Sequence, residues 1–155
     1  MFNCVVIVLM VMINALGHNE WVNFDQTQEK VIKSYENRTG LKITLPTFIP
    51  YSIKKTETND ISKEQIEIRY YGVETGDQIL LSISKENKKF DRINHYDGAP
   101  YAKKIFLKGN VPAVMLTRDY KSLTFVDSGI QYIITDFTGR PLNDQEIERV
   151  ANSML

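Results

Sequence analysis

The side chains that most often carry nucleophilic or metal-assisted catalysis are scarce in this sequence. Its 155 residues include two histidines, His18 and His95, and one cysteine, Cys4. Nucleophilic hydrolysis requires a nucleophile, a base and a group that orients the base, whereas zinc requires three or four closely spaced ligands. Neither pattern occurs in the sequence, and no phosphate-binding loop is present. We therefore expect a non-enzymatic protein without catalytic residues, metal or cofactor.

Acidic residues offer one alternative, a small cell-wall hydrolase. Glycoside hydrolases act with two carboxyl groups that flank the scissile bond. Four acidic residues from the middle of the chain are candidates for such a pair: Glu67, Glu74, Asp77 and Asp91. His95 lies beside Tyr96 in a charged connection, where a solvated histidine requires no function. Binding is therefore favoured over hydrolysis.

Tyrosines offer a different chemistry, that of an interaction surface. The chain has eight of them, and aromatic side chains with polar rims are common where proteins contact partners. Successive residues of a strand point to opposite faces of its sheet, so we expect tyrosines both in the core and on the outer face. The predicted interaction surface consists of Tyr71, Tyr96, Tyr101 and Tyr120. The alternative is that these side chains only cover the outer face of the sheet.

The charges of the chain are balanced. Lysines plus arginines equal aspartates plus glutamates at nineteen each, so the formal net charge is zero. Such a surface lacks the basic excess of nucleic-acid-binding proteins, and we expect no nucleic-acid partner. Three basic pairs, Lys54–Lys55, Lys88–Lys89 and Lys103–Lys104, are candidates for contact with wall polymer or lipid headgroups. The balanced charge favours solvated faces for them.

The first seventeen residues differ from the rest of the chain. Met1 to Gly17 contains no charged side chain and holds an unbroken apolar run from Val5 to Ile13. As a helix this run reaches about 15 Å, half of the ~30 Å hydrocarbon core, which is too short for a comfortable membrane span. Small residues at Ala15 and Gly17 occupy the positions that signal peptidase inspects.

We therefore predict that residues 1–17 are a signal peptide or a retained N-terminal anchor. Residues 18–155 then form a single exported domain, which is secreted or held at the membrane by the N-terminal segment. Because Cys4 lies in the leader, the mature domain would contain no cysteine. The alternative is a buried first strand of a cytoplasmic domain, since the segment beginning at Val5 is rich in β-branched residues.

The remaining chain predicts helices at its two ends and strands between them. Asp25 caps a first helix that stops at Gly40, and the prolines of Leu41–Pro50 require an extended segment. Asn143 caps a last helix that runs to Leu155, with Glu146 closing a capping box. Alternating apolar residues predict strands at Tyr51–Thr58, Gln65–Val73, Gln78–Ser84, Lys104–Lys108, Val111–Thr117, Ser122–Val126 and Ile130–Thr135.

Consecutive strands joined by tight turns indicate an antiparallel sheet, and an amphipathic helix must bury its stripe against a sheet face. A polar stretch from Glu57 to Glu64 predicts the first turn, and Gly109 and Gly129 supply the positive φ of two later turns. The predicted class is α+β. We expect a curved antiparallel sheet of six to seven strands, with the short N-terminal helix and the C-terminal helix on one face.

The order of these signals resembles a family of exported Gram-positive proteins classified as domain of unknown function 4367. The resemblance covers roughly Glu29 to Leu155. It is carried by the following segments: Thr39-Gly40, Leu41–Pro46, Phe48-Ile49-Pro50-Tyr51, Gly109-Asn110-Val111-Pro112, Ser122–Phe125, Asp127–Ile134 and the helix from Asn143. The resemblance implies an extracytoplasmic, non-enzymatic domain, remotely similar to the half-barrel folds of lipoprotein carriers and sigma-regulating sensors. It provides no catalytic residue.

Together these features predict an exported binding, sensing or interaction module at the cell surface. Its partner would be a protein or another component of the cell envelope, with membrane contact through the N-terminus. The main rival is a carrier that holds an apolar ligand in a cleft between the sheet and the helices.

Overall fold

The computed structural model describes residues 26–74, 76–87, 95–96 and 98–155. These ranges contain two α-helices, seven strands and one 3₁₀ turn. In chain order the elements are α1 (Gln26–Thr39), β1 (Ile53–Ser62), β2 (Gln65–Gly72), β3 (Gln78–Lys85), β4 (Ala102–Leu107), the 3₁₀ turn (Lys108–Asn110), β5 (Val111–Thr117), β6 (Lys121–Asp127), β7 (Ile130–Asp136) and α2 (Asp144–Asn152). The α+β class, the antiparallel sheet and the two terminal helices are confirmed.

The seven strands form one curved antiparallel sheet in the order β1-β2-β3-β7-β6-β5-β4. We call the end at which β2 finishes and β3 begins the upper end, and the end at which β1 turns into β2 the lower end. The register places Tyr71 opposite Gln78, and Asp136 opposite both Ile79 and Lys121. The end of β7 and the start of β6 therefore lie at the upper end too. The start of β4 joins them, because Ala102 pairs with Leu116.

One face of the sheet, which we call the inner face, carries the core and both helices. α1 packs against β1 and β2, and α2 against β4, β6 and β7. Alternate residues of every central strand point to this face, and Phe125 stacks on Tyr132 at 5.1 Å between ring centroids. The largest fully buried side chains are Tyr35, Tyr70, Tyr132, Phe125, Ile66, Ile68, Ile79, Leu81, Ile83, Met115, Leu123 and Ile130.

Helix α1 runs from the upper half of the molecule to its lower end. Near its start, the side-chain amide of Gln28 donates to the carbonyl of Thr56 in the upper half of β1. Near its end, the guanidinium of Arg38 contacts both carboxylate oxygens of Asp60, at 2.9 and 2.8 Å. Gly40 adopts φ +72° just past the helix, as the predicted stop requires.

Helix α2 also starts at the upper end. Its capping box is confirmed: the Asn143 side chain accepts from the Glu146 backbone N–H, and the Glu146 carboxylate accepts from the Asn143 N–H. The predicted helix runs too far, since the observed one ends at Asn152. The cause is Ser153, whose hydroxyl donates to the Val150 carbonyl and accepts from the N–H groups of residues 47 and 48.

The predicted turn over Glu57–Glu64 is wrong, because most of these residues belong to β1. The observed β1 continues to Ser62, and only Lys63 and Glu64 form the turn. Polarity misled the prediction because β1 is an edge strand, which needs few apolar side chains to pair. At the later turns the two predicted glycines do have positive φ, +72° at Gly109 and +79° at Gly129.

Four features of the sequence lie outside the described residues: the leader at 1–17, the cap at Asp25, the Lys88–Lys89 pair and Asp91. Within the described part of the chain, none of the helices combines the length and apolar character needed to cross a membrane.

Candidate interaction surface at the upper end of the sheet

The four tyrosines of the predicted interaction surface all lie at the upper end of the sheet. Tyr71 closes β2, Tyr96 and Tyr101 precede β4, and Tyr120 lies in the turn between β5 and β6. Antiparallel pairing creates this arrangement, because it brings alternate strand ends to the same end of the sheet. Across the sheet the groups are spread out, since four strands separate β2 from β4. Tyr120 is 58% exposed, and the other three are half-buried.

Tyr71 projects from the outer face and is held by two charged side chains of β1. Its hydroxyl donates to Glu57 Oε2 at 2.8 Å, and the Lys55 ammonium lies 5.9 Å from the centre of its ring. Lys55 also binds Glu57 directly. Hydrogen bonds from Lys55 and then from Tyr71 lower the pKa of the Glu57 carboxyl. The ring of Tyr71 is thus oriented by a three-member network.

Tyr96 and Tyr101 form a second group beside the start of β4. Their ring centroids are 6.3 Å apart in an edge-to-face arrangement, and His95 lies edge-on to Tyr96 at 5.0 Å. The Arg118 guanidinium lies 5.7 Å from the centre of the Tyr101 ring. The carbonyl of Tyr101 accepts from the N–H of Thr117 at 2.9 Å, which ties this group to the end of β5.

Tyr120 packs against Phe137, an aromatic residue that the sequence prediction missed. Their ring centroids are 4.6 Å apart, and the Phe137 N–H donates to the carbonyl of Gln78 at 2.9 Å. Gln78 is the residue that pairs with Tyr71. Phe137 therefore lies between Tyr120 and Tyr71. A period-two continuation of β7 would have revealed it, because Phe137 keeps the parity of the outer-face residues Ile133 and Thr135.

An exposed valine extends this group. Val73 follows β2 in the turn at the upper end and is 61% exposed. We call the set of Tyr71, Val73, Tyr96, Tyr101, Tyr120 and Phe137 the aromatic end. Its residues come from four places in the chain: the end of β2 with the turn that follows it, the connection before β4, the turn between β5 and β6, and the connection after β7. Large rigid side chains of this kind supply contact area at a low cost in conformational entropy.

Several carboxylates in the described residues serve structural contacts. Asp136, at 5% exposure, accepts from the Thr138 N–H and hydroxyl and from the Leu142 N–H, and so fixes the connection to α2. Asp144 binds Lys121 at 2.9 Å and Lys103 at 3.2 Å. Hydrogen bonds from Lys121 and then Lys103 lower the pKa of the Asp144 carboxyl.

Among the carboxylates considered for glycoside hydrolysis, Glu67 does not form a close pair with Glu74 or Asp77, which lie together in the turn between β2 and β3. Glu67 pairs with Ser82, four residues along the strands from the Tyr71–Gln78 pair beside the turn that holds Glu74 and Asp77. Four strand residues span about 13 Å, more than the ~5 to 9.5 Å between the catalytic carboxyls of glycosidases. Asp91 lies outside the described residues.

Two lysines of the basic pairs form ion pairs within the domain. Lys55 binds Glu57 and Lys103 binds Asp144, so each has an anionic partner within the chain. The structure therefore gives Lys55 and Lys103 local roles in orienting Tyr71 and in holding the start of α2. In the described part of the chain no group of three or more potential metal ligands is arranged to hold an ion.

The space between the sheet and the helices is filled by one contiguous cluster of apolar side chains. Tyr35 of α1 and Ile147 of α2 are both fully buried in it, together with the inner-face residues of the strands. A carrier would need room for its ligand in this layer. A ligand held between the layers would contact this cluster.

Neither a protein-family model nor a curated protein nor a solved structure matches the chain. Function must therefore be argued from the site itself. The resemblance to the family of domain of unknown function 4367 stays a prediction.

Proposed function

We propose that this chain is an exported, non-enzymatic interaction module that binds a component of the cell envelope through its aromatic end. One observation carries the proposal: the fold gathers four tyrosines, Phe137 and Val73 from separate connections onto one end of the sheet. Tyr120 and Val73 are more than half exposed. Aromatic residues are enriched at contact sites.

The charged groups beside the aromatic end support binding rather than catalysis. Glu57 is committed to Lys55 and Tyr71, and Asp144 is committed to Lys121 and Lys103. Such pairs orient neighbouring side chains and do not require a substrate. His95 touches the ring of Tyr96 and so belongs to the aromatic packing itself.

The uncharged segment Met1–Gly17 supports an extracytoplasmic location, because its length and its small residues at Ala15 and Gly17 are typical of export signals. The resemblance to an exported Gram-positive family agrees with this location. Both features favour the outer side of the membrane as the compartment of the partner.

Site-specific photocrosslinking in a Gram-positive host tests the proposal. A photoreactive phenylalanine analogue replaces Tyr120 in one variant and Phe106 in the other. Phe106 is an exposed aromatic residue near the lower end of β4 and serves as the matched control. On intact cells, the probe at 120 should form a defined crosslink to an envelope component, and the probe at 106 should not. Equal crosslinking at both positions, or none at 120, would refute the proposal.

A further inference from the structure

We infer that the component met by the aromatic end is the lipid bilayer surface, against which the segment Met1–Gly17 holds the domain as a retained anchor. The inference rests on the proposed function, because it uses the same surface and names its partner. Three features of the chain support it: the direction of α1, the length of the linker that precedes α1, and the chemistry of the exposed side chains Val73 and Tyr120.

The direction of α1 places the start of that helix in the upper half of the molecule. Gln28 contacts Thr56, which pairs with Tyr70 one residue below Tyr71. Arg38, at the other end of the helix, contacts the lower end of the sheet through Asp60. The chain that precedes α1 therefore enters the described domain in the half that carries the aromatic end.

The linker is short enough to hold that half close to a membrane. Eight residues, 18–25, separate the apolar segment from α1, and fully extended they reach about 28 Å. β2 alone spans roughly 26 Å between the two ends of the sheet. The start of α1 is thus held within about 28 Å of the bilayer surface, and the upper end lies nearer to it than the lower end does, because Thr56 is closer in β1 to Ile53 than to Ser62. The linker also contains Trp21, a residue type enriched at membrane interfaces.

The exposed tips suit a bilayer interface. Val73 and Tyr120 project from two separate turns, one apolar or aromatic side chain on each. Tyrosine prefers the headgroup level, where its ring meets acyl chains and its hydroxyl meets water. A stable protein interface instead requires a continuous, tightly packed apolar centre. Separate tips among polar residues favour shallow insertion into lipid.

The charges at this end indicate which lipid property matters. Lys55 and Arg118 are cationic, but Glu57, Glu74 and Asp119 lie at the same end, and the whole chain has no net charge. Contact therefore depends on the aromatic and apolar side chains more than on anionic headgroups. We expect it on zwitterionic phosphatidylcholine as well as on anionic vesicles, and at high as well as low salt.

An environment-sensitive fluorophore on single cysteines tests the inference in the full chain. Cys4→Ser provides the background, and the label is placed at Val73→Cys or at Ile61→Cys. Ile61 is the matched control, because it is an aliphatic residue with 51% exposure near the hairpin at the lower end of the same strands. Both proteins are reconstituted into phosphatidylcholine vesicles, with or without a lipid that carries a nitroxide at headgroup level.

The label at position 73 should shift its emission to the blue on vesicles and lose at least half of its intensity to the nitroxide. The label at 61 should do neither. The inference would be overturned if the two labels respond equally, or if the label at 73 shows neither the emission shift nor the quenching. It would also be overturned if the full chain does not float with vesicles. If the label at 73 is silent while the crosslinker at 120 captures a protein on cells, the bilayer is excluded and the proposed function stands. Failure of both experiments rejects both.

Discussion

At the scale of single residues, Asp136 shows how a buried carboxylate serves the fold. It ends β7 on the inner face, where three hydrogen bonds from Thr138 and Leu142, of 2.6 to 2.9 Å, satisfy its oxygens. These bonds hold the connection that carries Phe137 on one side and delivers α2 on the other. The position of Phe137 therefore depends in part on the side chain of its neighbour Asp136, which lies on the opposite face of the sheet.

Replacing Asp136 with alanine should lower the free energy of unfolding by about 2 to 3 kcal/mol. The buried N–H of Leu142 loses its acceptor, and a bond to a charged group contributes about 1.5 to 3 kcal/mol. Asp119→Ala, in an exposed turn, is the control and should change stability by less than about 0.5 kcal/mol. Denaturant titration measures both, and equal midpoints for the two variants would contradict the role of Asp136.

Asp144 predicts a dependence on pH. Its pKa is lowered in the folded protein by hydrogen bonds from Lys121 and Lys103, so the carboxylate stabilises the fold above its unfolded pKa of about 3.9. This contribution, about 1 kcal/mol for a partly exposed pair, disappears as the pH falls through the lower, folded-state value. Wild type should therefore exceed Asp144→Asn in stability near neutral pH, and the difference should vanish in strong acid. A difference that is independent of pH would rule out the ion pairs as its source.

At the scale of elements, α2 holds the inner face closed. Ile147 is fully buried against the sheet, so Ile147→Ala should cost about 2 to 4 kcal/mol. Gln145→Ala changes an exposed position of the same helix and should leave stability within about 0.5 kcal/mol. Thermal and denaturant melts of the two variants provide the test. An unchanged melt for Ile147→Ala would mean that α2 does not stabilise the fold by packing on the sheet.

The elements differ in how far the sequence predicts them. α2 is predicted well because its signals are local: Asn143 and Glu146 lie three residues apart and the apolar stripe follows at once. The end of β1 is predicted badly, since an edge strand can pair while carrying Asn59 and Asp60. The end of α2 is missed because Ser153 is held by the distant residues 47 and 48.

The sequence likewise predicts only part of the candidate site. Period-two alternation correctly places Tyr71 on the outer face and Tyr70 in the core. That Tyr71, Tyr101 and Tyr120 share one end of the sheet follows from how the strands pair, which no local pattern contains. β4 follows β3 in the chain, yet β7, β6 and β5 separate the two strands in the sheet.

At the scale of the whole molecule, the two helices run in the same direction along the sheet. Both helices begin toward the upper end and finish toward the lower end, since Gln28 contacts Thr56 and Asp144 contacts Lys121 at the start of β6. The extended segment from Gly40 returns between them, with its Thr44 N–H donating to the hydroxyl of Tyr132 at 3.1 Å. The start of α1 and the aromatic end consequently belong to the same half of the domain.

Hydroxyl-radical footprinting of the full chain tests the central claim, that the aromatic end is the binding surface. Oxidation of Tyr120 and Phe137 is compared with that of Phe106, an aromatic residue with 75% exposure near the lower end of β4. On intact cells, relative to detergent-solubilised protein, Tyr120 and Phe137 should be protected several-fold while Phe106 stays unchanged. Equal oxidation of Tyr120 in the two conditions, or protection confined to Phe106, would contradict the claim.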